Sequence, residues 1–353
     1  MPLTASPVLR WLAAACRQDG APLSPTPIPW SEIISLARRH RVQSLLYAGV
    51  TRRAQEIPPE VASQLRAEAH RVAAENLQAA AECRRIRDAF DSADLPLLFV
   101  KGLTLSQLAY GASTLKLSRD IDLLVLPEQV GRAGEVLALL GYQAQVSADS
   151  RRLARWHRWS KESGWIAPSG LLVELHSRLT DHPGILPDLR ANSASQLVEV
   201  ISGLALPTLR RDALLAYLAV HGASSAWFRL KWLADLQALL GEADATGLDE
   251  VHEAMRRLGA GRAASQAMLL LHWVYGMPLS DRLVTVLAAD RRARWLASEA
   301  LRQLEAPVEP TARRRGTVGI HASQLLIGEH WTFPLSEGKR RLGEILFRHF
   351  TAG

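Results

Sequence analysis

The sequence predicts an α/β fold in which a small sheet lies between two helical regions. The segment Leu95–Pro127 has the pattern of a buried strand, a glycine turn, a short helix and a second strand. The residues before it repeat apolar side chains at helical spacing, and helical spacing resumes at about Pro207 between glycine and proline breaks. We therefore predict an N-terminal helical region at 1–94, a sheet-containing domain at 95–206 and a C-terminal helical domain at 207–353.

Length and composition describe an ordinary globular protein. The chain has 353 residues, enough for two or three domains, and 48% of them are apolar. Its two cysteines, Cys16 and Cys83, have neither disulfide-framework nor zinc-site spacing, which fits a reducing compartment. No secretory signal and no apolar run long enough for a membrane span is visible, so we expect a cytoplasmic protein without membrane contact.

The charge is compatible with a polyanionic partner without pointing to one. Lysine and arginine number 42 against 35 acidic residues, for a formal net charge of +7. Such a balance suits a nucleoside triphosphate or a nucleic acid. Most of the basic residues, however, are spread through predicted helices next to acidic ones. Nucleic acid is therefore a possible partner that the charge pattern does not favour.

The first predicted strand ends in a lysine and a glycine. Both faces of this strand are apolar through Val100, which places it inside a sheet. Gly102 follows where the backbone must turn, and helical spacing begins directly behind it. Lys101 precedes the glycine in a chain whose positive charge is nearly all arginine.

Asp120 and Asp122 are the two carboxylates of the second predicted strand. Residues i and i+2 of a strand share one face, roughly 7 Å apart along the chain. At an effective dielectric near 20, two unit charges at that distance repel by about 2 kcal/mol, and burial adds a desolvation cost. A divalent cation between them would turn this cost into a binding site. The alternative is that Asp120 caps the strand end and Asp122 faces solvent on an edge strand.

A third predicted strand, Leu171–Leu179, places Leu172, Glu174 and His176 on one face. A carboxylate in such an apolar strand is costly unless it is paired or bound to metal. His176 could act as a general base, or it could support the site by donating a hydrogen bond to a carboxylate.

Taken together, the motifs resemble the uncharacterised nucleotidyltransferase family of the polymerase-β-like superfamily. They are KG, LSQLAY and DIDLLV in the first segment, LLVELHSRL in the third strand, and HGASSAWFRLKWLADLQALL at His221–Leu240. The resemblance implies a small mixed sheet of nucleotidyltransferase type and makes 95–206 the catalytic domain. It also implies that Asp120, Asp122 and Glu174 are catalytic residues and metal ligands.

The same resemblance assigns nucleotide-binding roles. Gly102 would let the backbone approach the phosphates, while Lys101 and Thr104 would supply a charge and a hydroxyl. Lys116 stands where the family tends to have an arginine. In the helical signature, Arg229 and Lys231 would meet the triphosphate and Trp227 would stack on a base. The alternative is that these side chains serve the packing of the helical hairpin.

The implied function is metal-dependent transfer of a nucleoside monophosphate from a nucleoside triphosphate, with two Mg²⁺ ions and release of pyrophosphate. The acceptor would be a hydroxyl or phosphate on an unknown small molecule, peptide or protein. One alternative is a non-catalytic nucleotidyltransferase-fold binding or scaffold protein in a biosynthetic pathway. Leu103 favours it, because the superfamily usually has a small residue there. Another is a toxin-like nucleotidyltransferase that acts on RNA.

Overall fold

The computed structural model describes residues 4–24 and 29–351, with 346–351 described by their backbone alone. The chain forms two compact units, each built from several segments. The helical unit comprises Met1–Ala73, Leu115–Leu117 and Leu215–Trp331, and the sheet unit comprises Ala74–Thr114, Ser118–Leu214 and Thr332–Gly353. The domain boundaries given above stay a prediction.

The helices, in chain order, are α1 (Pro7–Ala15), α2 (Trp30–His40), α3 (Gln43–Arg52), α4 (Pro59–Ser92), α5 (Leu103–Tyr110), α6 (Val130–Leu139), α7 (Ser150–Trp156), α8 (Arg211–Ser224), α9 (Leu230–Leu240), α10 (Ala245–Arg257), α11 (Arg262–Tyr275), α12 (Asp281–Ala289), α13 (Arg291–Glu305), α14 (Val318–Leu326) and α15 (Phe333–Thr351). The strands are β1 (Leu98–Phe99), β2 (Asp120–Leu124), β3 (Gln143–Ala144), β4 (Glu162–Ile166), β5 (Leu172–His176), β6 (Ser195–Ile201) and β7 (Leu204–Leu209). Among the described residues, no helix combines the length and apolarity needed to cross a membrane.

Some helices of the helical unit begin at residues whose side chains cap them. Asp244 accepts a hydrogen bond from the backbone of Gly247 at the start of α10, and Ser280 does the same for Leu283 in α12. Such caps satisfy backbone N–H groups that have no partner inside the helix. Short polar residues ahead of apolar helical spacing are therefore a local cause of these boundaries.

The sheet unit contains a five-stranded mixed sheet in the order β1-β2-β5-β4-β3. The β2–β5 pair is parallel, and the other three pairs are antiparallel. The predicted α/β class with a small mixed sheet is confirmed at this level. Strands β6 and β7 form a separate hairpin.

Alternation along β2 and β5 separates an apolar face from a polar one. Ile121 lies opposite Val173, and Leu123 opposite Leu175, in the hydrophobic core with Trp165 of β4. The residues between them point to the other face. Burial of the apolar side chains therefore orients the polar ones, because a slip of one residue would reverse both faces.

Three strands escape the sequence prediction. Strand β4 has a glycine at its centre, and β6 and β7 are connected by a tight turn at Gly203, whose φ is +72°. The expectation that the chain is helical from about Pro207 is wrong at its start, because Pro207 lies inside β7 and α8 begins at Arg211. Proline is tolerated in a strand at the sheet edge, where it need not donate a ladder hydrogen bond.

Trp165 provides a test of this packing. Its side chain is 0% exposed, so Trp165→Ala leaves a cavity in the core of the sheet unit. We expect the variant to lose about 3–5 kcal/mol of unfolding free energy, measured by urea titration with circular dichroism. Leu139→Ala removes an 88%-exposed side chain from α6 and should change stability by less than about 0.5 kcal/mol. Equal losses in both variants would contradict the assigned core.

Candidate functional site

Asp122, Glu174 and His176 converge on the polar face of the sheet. In the parallel β2–β5 ladder Asp122 lies directly opposite Glu174, and His176 follows two residues later on the same face. One potential ligand atom from each of the three lies within 4.8 Å of the other two. Asp122 is 3% exposed and His176 0%, while Glu174 is partly exposed. Neighbouring parallel strands thus build an open-sided polar cluster.

Lys101 neutralises the buried carboxylate of Asp122. Its Nζ lies 2.8 Å from Asp122 Oδ1, and Nε2 of His176 lies 3.2 Å from the same oxygen. Burial disfavours the charged carboxylate, but the Lys101 ammonium and the His176 imidazole outweigh it and hold the pKa of Asp122 well below its usual range. Asp122 is therefore ionised at neutral pH, and its position on an inner strand overturns the alternative of an edge-strand residue facing solvent.

His176 is surrounded by carboxylates. Its Nε2 is 3.5 Å from Glu174 Oε2, and its Nδ1 is 3.4 Å from Glu162 Oε2. Burial alone would lower the pKa of His176, but hydrogen bonds to Asp122 and Glu174 and the charge of Glu162 raise it above its ordinary value. The predicted role of His176 beside a carboxylate agrees with this geometry, and His176 also belongs to the cluster itself.

Glu162 is the site residue that sequence reasoning missed. It lies opposite His176 in the β4–β5 ladder, and burial of its carboxylate is outweighed by Lys161 and His176, which lower its pKa. The local signal was available, because Ser163 and Trp165 alternate with Glu162, Gly164 and Ile166 as a half-buried strand does.

A divalent cation fits the residues present. Oδ2 of Asp122 is buried and has no hydrogen-bond partner among the described residues, whereas Oδ1 contacts Lys101 and His176. Buried carboxylate oxygens are normally partnered, so an orphan beside a second carboxylate is a place for a cation. Mg²⁺ prefers oxygen ligands, and Mn²⁺ also accepts imidazole nitrogen. The carboxylates of Asp122 and Glu174 suit either ion, and the imidazole of His176 adds a ligand that suits Mn²⁺.

Asp120 lies on the same face as Asp122 but outside the three-residue cluster. It is partly exposed and sits opposite Leu172 at the start of β2. The structure therefore brings together Asp122 and Glu174 of the predicted carboxylate set, with His176 in place of Asp120. The role of Asp120 as a metal ligand remains a prediction.

The glycine turn directly follows Lys101 in the chain and lies beside Asp120 and Asp122 in space. Gly102 has φ +65° and ψ −125°, and a Cβ placed there would lie 3.3 Å from Ser118 Oγ. No side chain caps the N-terminus of α5 behind it. Leu103 is buried in the hydrophobic core with Phe99 and Ile121, so its side chain does not fill the turn. Packing in the hydrophobic core therefore accounts for a leucine at position 103.

Thr104 holds the turn from within. The side chain is fully buried, and its hydroxyl lies 3.1 Å from the carbonyl oxygen of Phe99 and 3.0 Å from that of Lys101. Its donor is used by these carbonyls, and the predicted contact between the Thr104 hydroxyl and a phosphate stays a prediction.

Four predicted nucleotide-binding residues lie in the helical unit, where each has another partner. Lys116 Nζ is 3.5 Å from Asp235 Oδ2, and Arg229 makes a bidentate pair with Glu309 at 2.9 and 2.8 Å. The Lys231 ammonium lies over the Trp232 ring at 6.0 Å from its centroid.

Trp227 is fully buried in the same unit and packs on Gly222, where a Cβ would come within 2.4 Å of its ring. In this conformation the Trp227 ring is not available to a base, and packing of the helical hairpin describes it better. The phosphate contacts of Lys116, Arg229 and Lys231 remain predictions.

Comparison with protein-family models shows which family the chain matches. The model described as an uncharacterised nucleotidyltransferase matches residues 26–276, more than two thirds of the chain. A search of curated proteins found no match.

The Lys101–Asp122 pair can be tested by a double-mutant cycle. Lys101→Met leaves a buried carboxylate without its cation and should cost about 3–5 kcal/mol of unfolding free energy. Adding Asp122→Asn should recover part of this loss, because the amide carries no charge. Both can be measured by urea denaturation.

Lys161→Met is the matched control. Lys161 also makes a 2.8 Å pair, but its partner Glu162 is 31% exposed, so a loss of at most about 1 kcal/mol is expected. Additive losses in the Lys101/Asp122 double variant would show that the pair is not coupled.

Proposed function

We propose that this chain, which belongs to the uncharacterised nucleotidyltransferase family, transfers a nucleoside monophosphate from a nucleoside triphosphate to an acceptor. The reaction would join an acceptor oxygen to the α-phosphorus and break the bond between that phosphorus and the oxygen bridging to the β-phosphate. Pyrophosphate leaves, and the acceptor loses its proton. The acceptor is a hydroxyl or phosphate group.

One observation carries this proposal: Oδ2 of Asp122, which has no hydrogen-bond partner in the described ranges, lies in a cluster with Glu174 and His176. Buried carboxylate oxygens are normally partnered, so a bound cation would account for a buried, ionised carboxylate that leaves one oxygen unbonded. Bound there, Mg²⁺ or Mn²⁺ would activate the acceptor oxygen and neutralise charge on the leaving pyrophosphate.

The chain's own residues would position the reactants. Asp122 and Glu174 would hold the cation, and Lys101 would keep Asp122 ionised while leaving Oδ2 free. Asp120, more exposed on the same face, offers a carboxylate for the second ion expected in this superfamily. Positioning and charge stabilisation of this kind supply most of the catalysis in phosphoryl-transfer sites.

The glycine turn would bind the phosphates. Gly102 has no side chain to obstruct their approach, and the N-terminal N–H groups of α5 have no side-chain cap. A helix N-terminus with free N–H groups favours anions through both hydrogen bonds and the helix dipole. Leu103 is packed into the core, so its side chain does not obstruct this approach.

A non-catalytic binding protein is the second candidate, and one observation favours it. Lys101 lies 2.8 Å from Asp122, so the protein itself supplies a cation that compensates the charge of this carboxylate. A nucleotidyltransferase fold that had lost its metal could keep such a pair to stabilise the sheet. Binding of nucleotide without turnover would select this candidate.

Pyrophosphate release tests the catalytic proposal. With each of the four nucleoside triphosphates, Mg²⁺ or Mn²⁺ and a metabolite extract as acceptor source, the protein should release pyrophosphate. Asp122→Asn and Glu174→Gln should each reduce the rate more than about a hundredfold, because each removes a proposed cation ligand. Glu135→Gln changes an exposed carboxylate on α6 in the same way and should leave the rate unchanged.

Cation binding is a separate prediction with its own readout. Calorimetry with Mn²⁺ should give saturable binding to the wild-type protein and to Glu135→Gln, and a loss of at least about tenfold in affinity for Asp122→Asn. Circular dichroism checks that each variant folds. Equal Mn²⁺ affinity in Asp122→Asn would remove the proposed site, whereas Mn²⁺ and nucleotide binding without pyrophosphate release would favour the binding protein.

A further inference from the structure

A cavity lies in the sheet unit, at the carboxyl end of β5. It has a volume of about 560 Å³ and is bounded by residues that follow β2 and β5, by part of α7 and by the irregular segment at 183–190. Asp122, Glu174 and His176 do not line it. Its size falls in the range of about 300–1,000 Å³ that small-molecule sites occupy.

One part of the wall is apolar. Leu179, Ile185, Leu186 and Leu189 are buried side chains that line the cavity, together with prolines of the same segment. Leu186 adopts φ +52°, a left-handed conformation that is rare for a leucine. Such backbone strain persists where surrounding structure imposes it, and it clusters at ligand-binding sites.

Most of the charged side chains in the wall are cationic. Arg158, Arg178 and Arg190 line the cavity, against one acidic residue, Glu128. Within the described part of the chain, no carboxylate forms an ion pair with Arg158 or Arg190. A guanidinium presents paired N–H donors that match a carboxylate or phosphate. The cavity thus combines an apolar wall with two arginines free to meet an anion.

Apart from the carboxylate of Glu128, the remaining polar groups of the wall are uncharged or already hydrogen-bonded. Arg178 Nη1 donates to the His157 carbonyl at 2.6 Å, which fixes it in the wall. His157 Nδ1 and Nε2 lie 2.9 Å from Ser177 Oγ and 3.1 Å from Ser163 Oγ. Burial lowers the pKa of His157 to about 3, so its ring is uncharged at neutral pH. Recognition of charge therefore falls to Arg158 and Arg190.

We propose that this cavity binds an amphipathic anion, a small molecule whose phosphate or carboxylate head contacts Arg158 and Arg190 and whose apolar body lies against the leucine wall. This inference does not rest on nucleotidyl transfer. It would hold equally for a catalytic protein and for a binding protein.

Calorimetry on the full chain tests the proposal with four matched probes: octyl phosphate, octanoate, octanol and octylamine. The two anions should bind saturably, and octanol and octylamine should bind at least about tenfold more weakly, because they lack the charge that the arginines recognise. The double variant Arg158→Gln/Arg190→Gln should weaken the anions by about tenfold or more. Arg151→Gln, an exposed arginine of α7 outside the cavity, should bind as the wild type does.

Ala154→Phe gives an independent test that leaves charge unchanged. Ala154 lines the cavity from an exposed position on α7, so a larger side chain would occupy the space without disturbing the core. Loss of octyl phosphate binding in this variant is expected. The proposal is overturned if neither anion binds the wild type, if octylamine or octanol binds as tightly as the anions, or if the arginine double variant keeps wild-type affinity.

Discussion

The buried charge of Asp122 is the constraint on which the polar face of the sheet depends. A carboxylate that is 3% exposed on an inner strand would be very costly alone, and the surrounding residues answer that cost with Lys101 and His176. Both partners are delivered by the fold. Lys101 ends the segment that contains β1, and His176 ends β5, whose parallel register is set by burial of Val173 on the opposite face. Packing on one face thus fixes the electrostatics of the other.

The charges in this cluster explain why a catalytic protein and a non-catalytic binding protein are both physically reasonable candidates. Three carboxylates, Asp122, Glu162 and Glu174, face Lys101 and a histidine whose pKa is raised, and Lys161 adds a further cation beside Glu162. Charge is therefore nearly balanced before any ion binds. Lys101 lies 2.8 Å from Oδ1 of Asp122, however, and Oδ2 has no hydrogen-bond partner among the described residues. A pair that served stability alone would gain by engaging both oxygens, so the unbonded oxygen favours a second cation.

The local sequence pattern predicted the strands and the helix that contain the cluster, because each can be identified from residues that are close together in the chain. An apolar run, a glycine with positive φ and two carboxylates on one face are sufficient for β1, α5 and β2, and alternation is sufficient for Glu174 and His176 on β5. Partners far along the chain left no such local signal. Arg229 and Glu309 are separated by 80 residues, so nothing near Arg229 reveals that its guanidinium is occupied. Burial of Trp227 depends on how the turn after α8 places the Trp227 ring against Gly222, which residue spacing alone does not reveal.

His157 and His176 show how strongly neighbouring groups decide the pKa of a buried histidine. Both rings are nearly inaccessible, and His157 bonds to Ser177, the residue that follows His176. Around His157 the partners are two serine hydroxyls, which carry no charge, so desolvation prevails and its pKa falls to about 3. Around His176 the partners are carboxylates, which outweigh the same desolvation and raise its pKa. Because successive residues of an extended chain point to opposite sides, the end of β5 contributes to the carboxylate cluster on one side and to the cavity lined by Arg158 and Arg190 on the other.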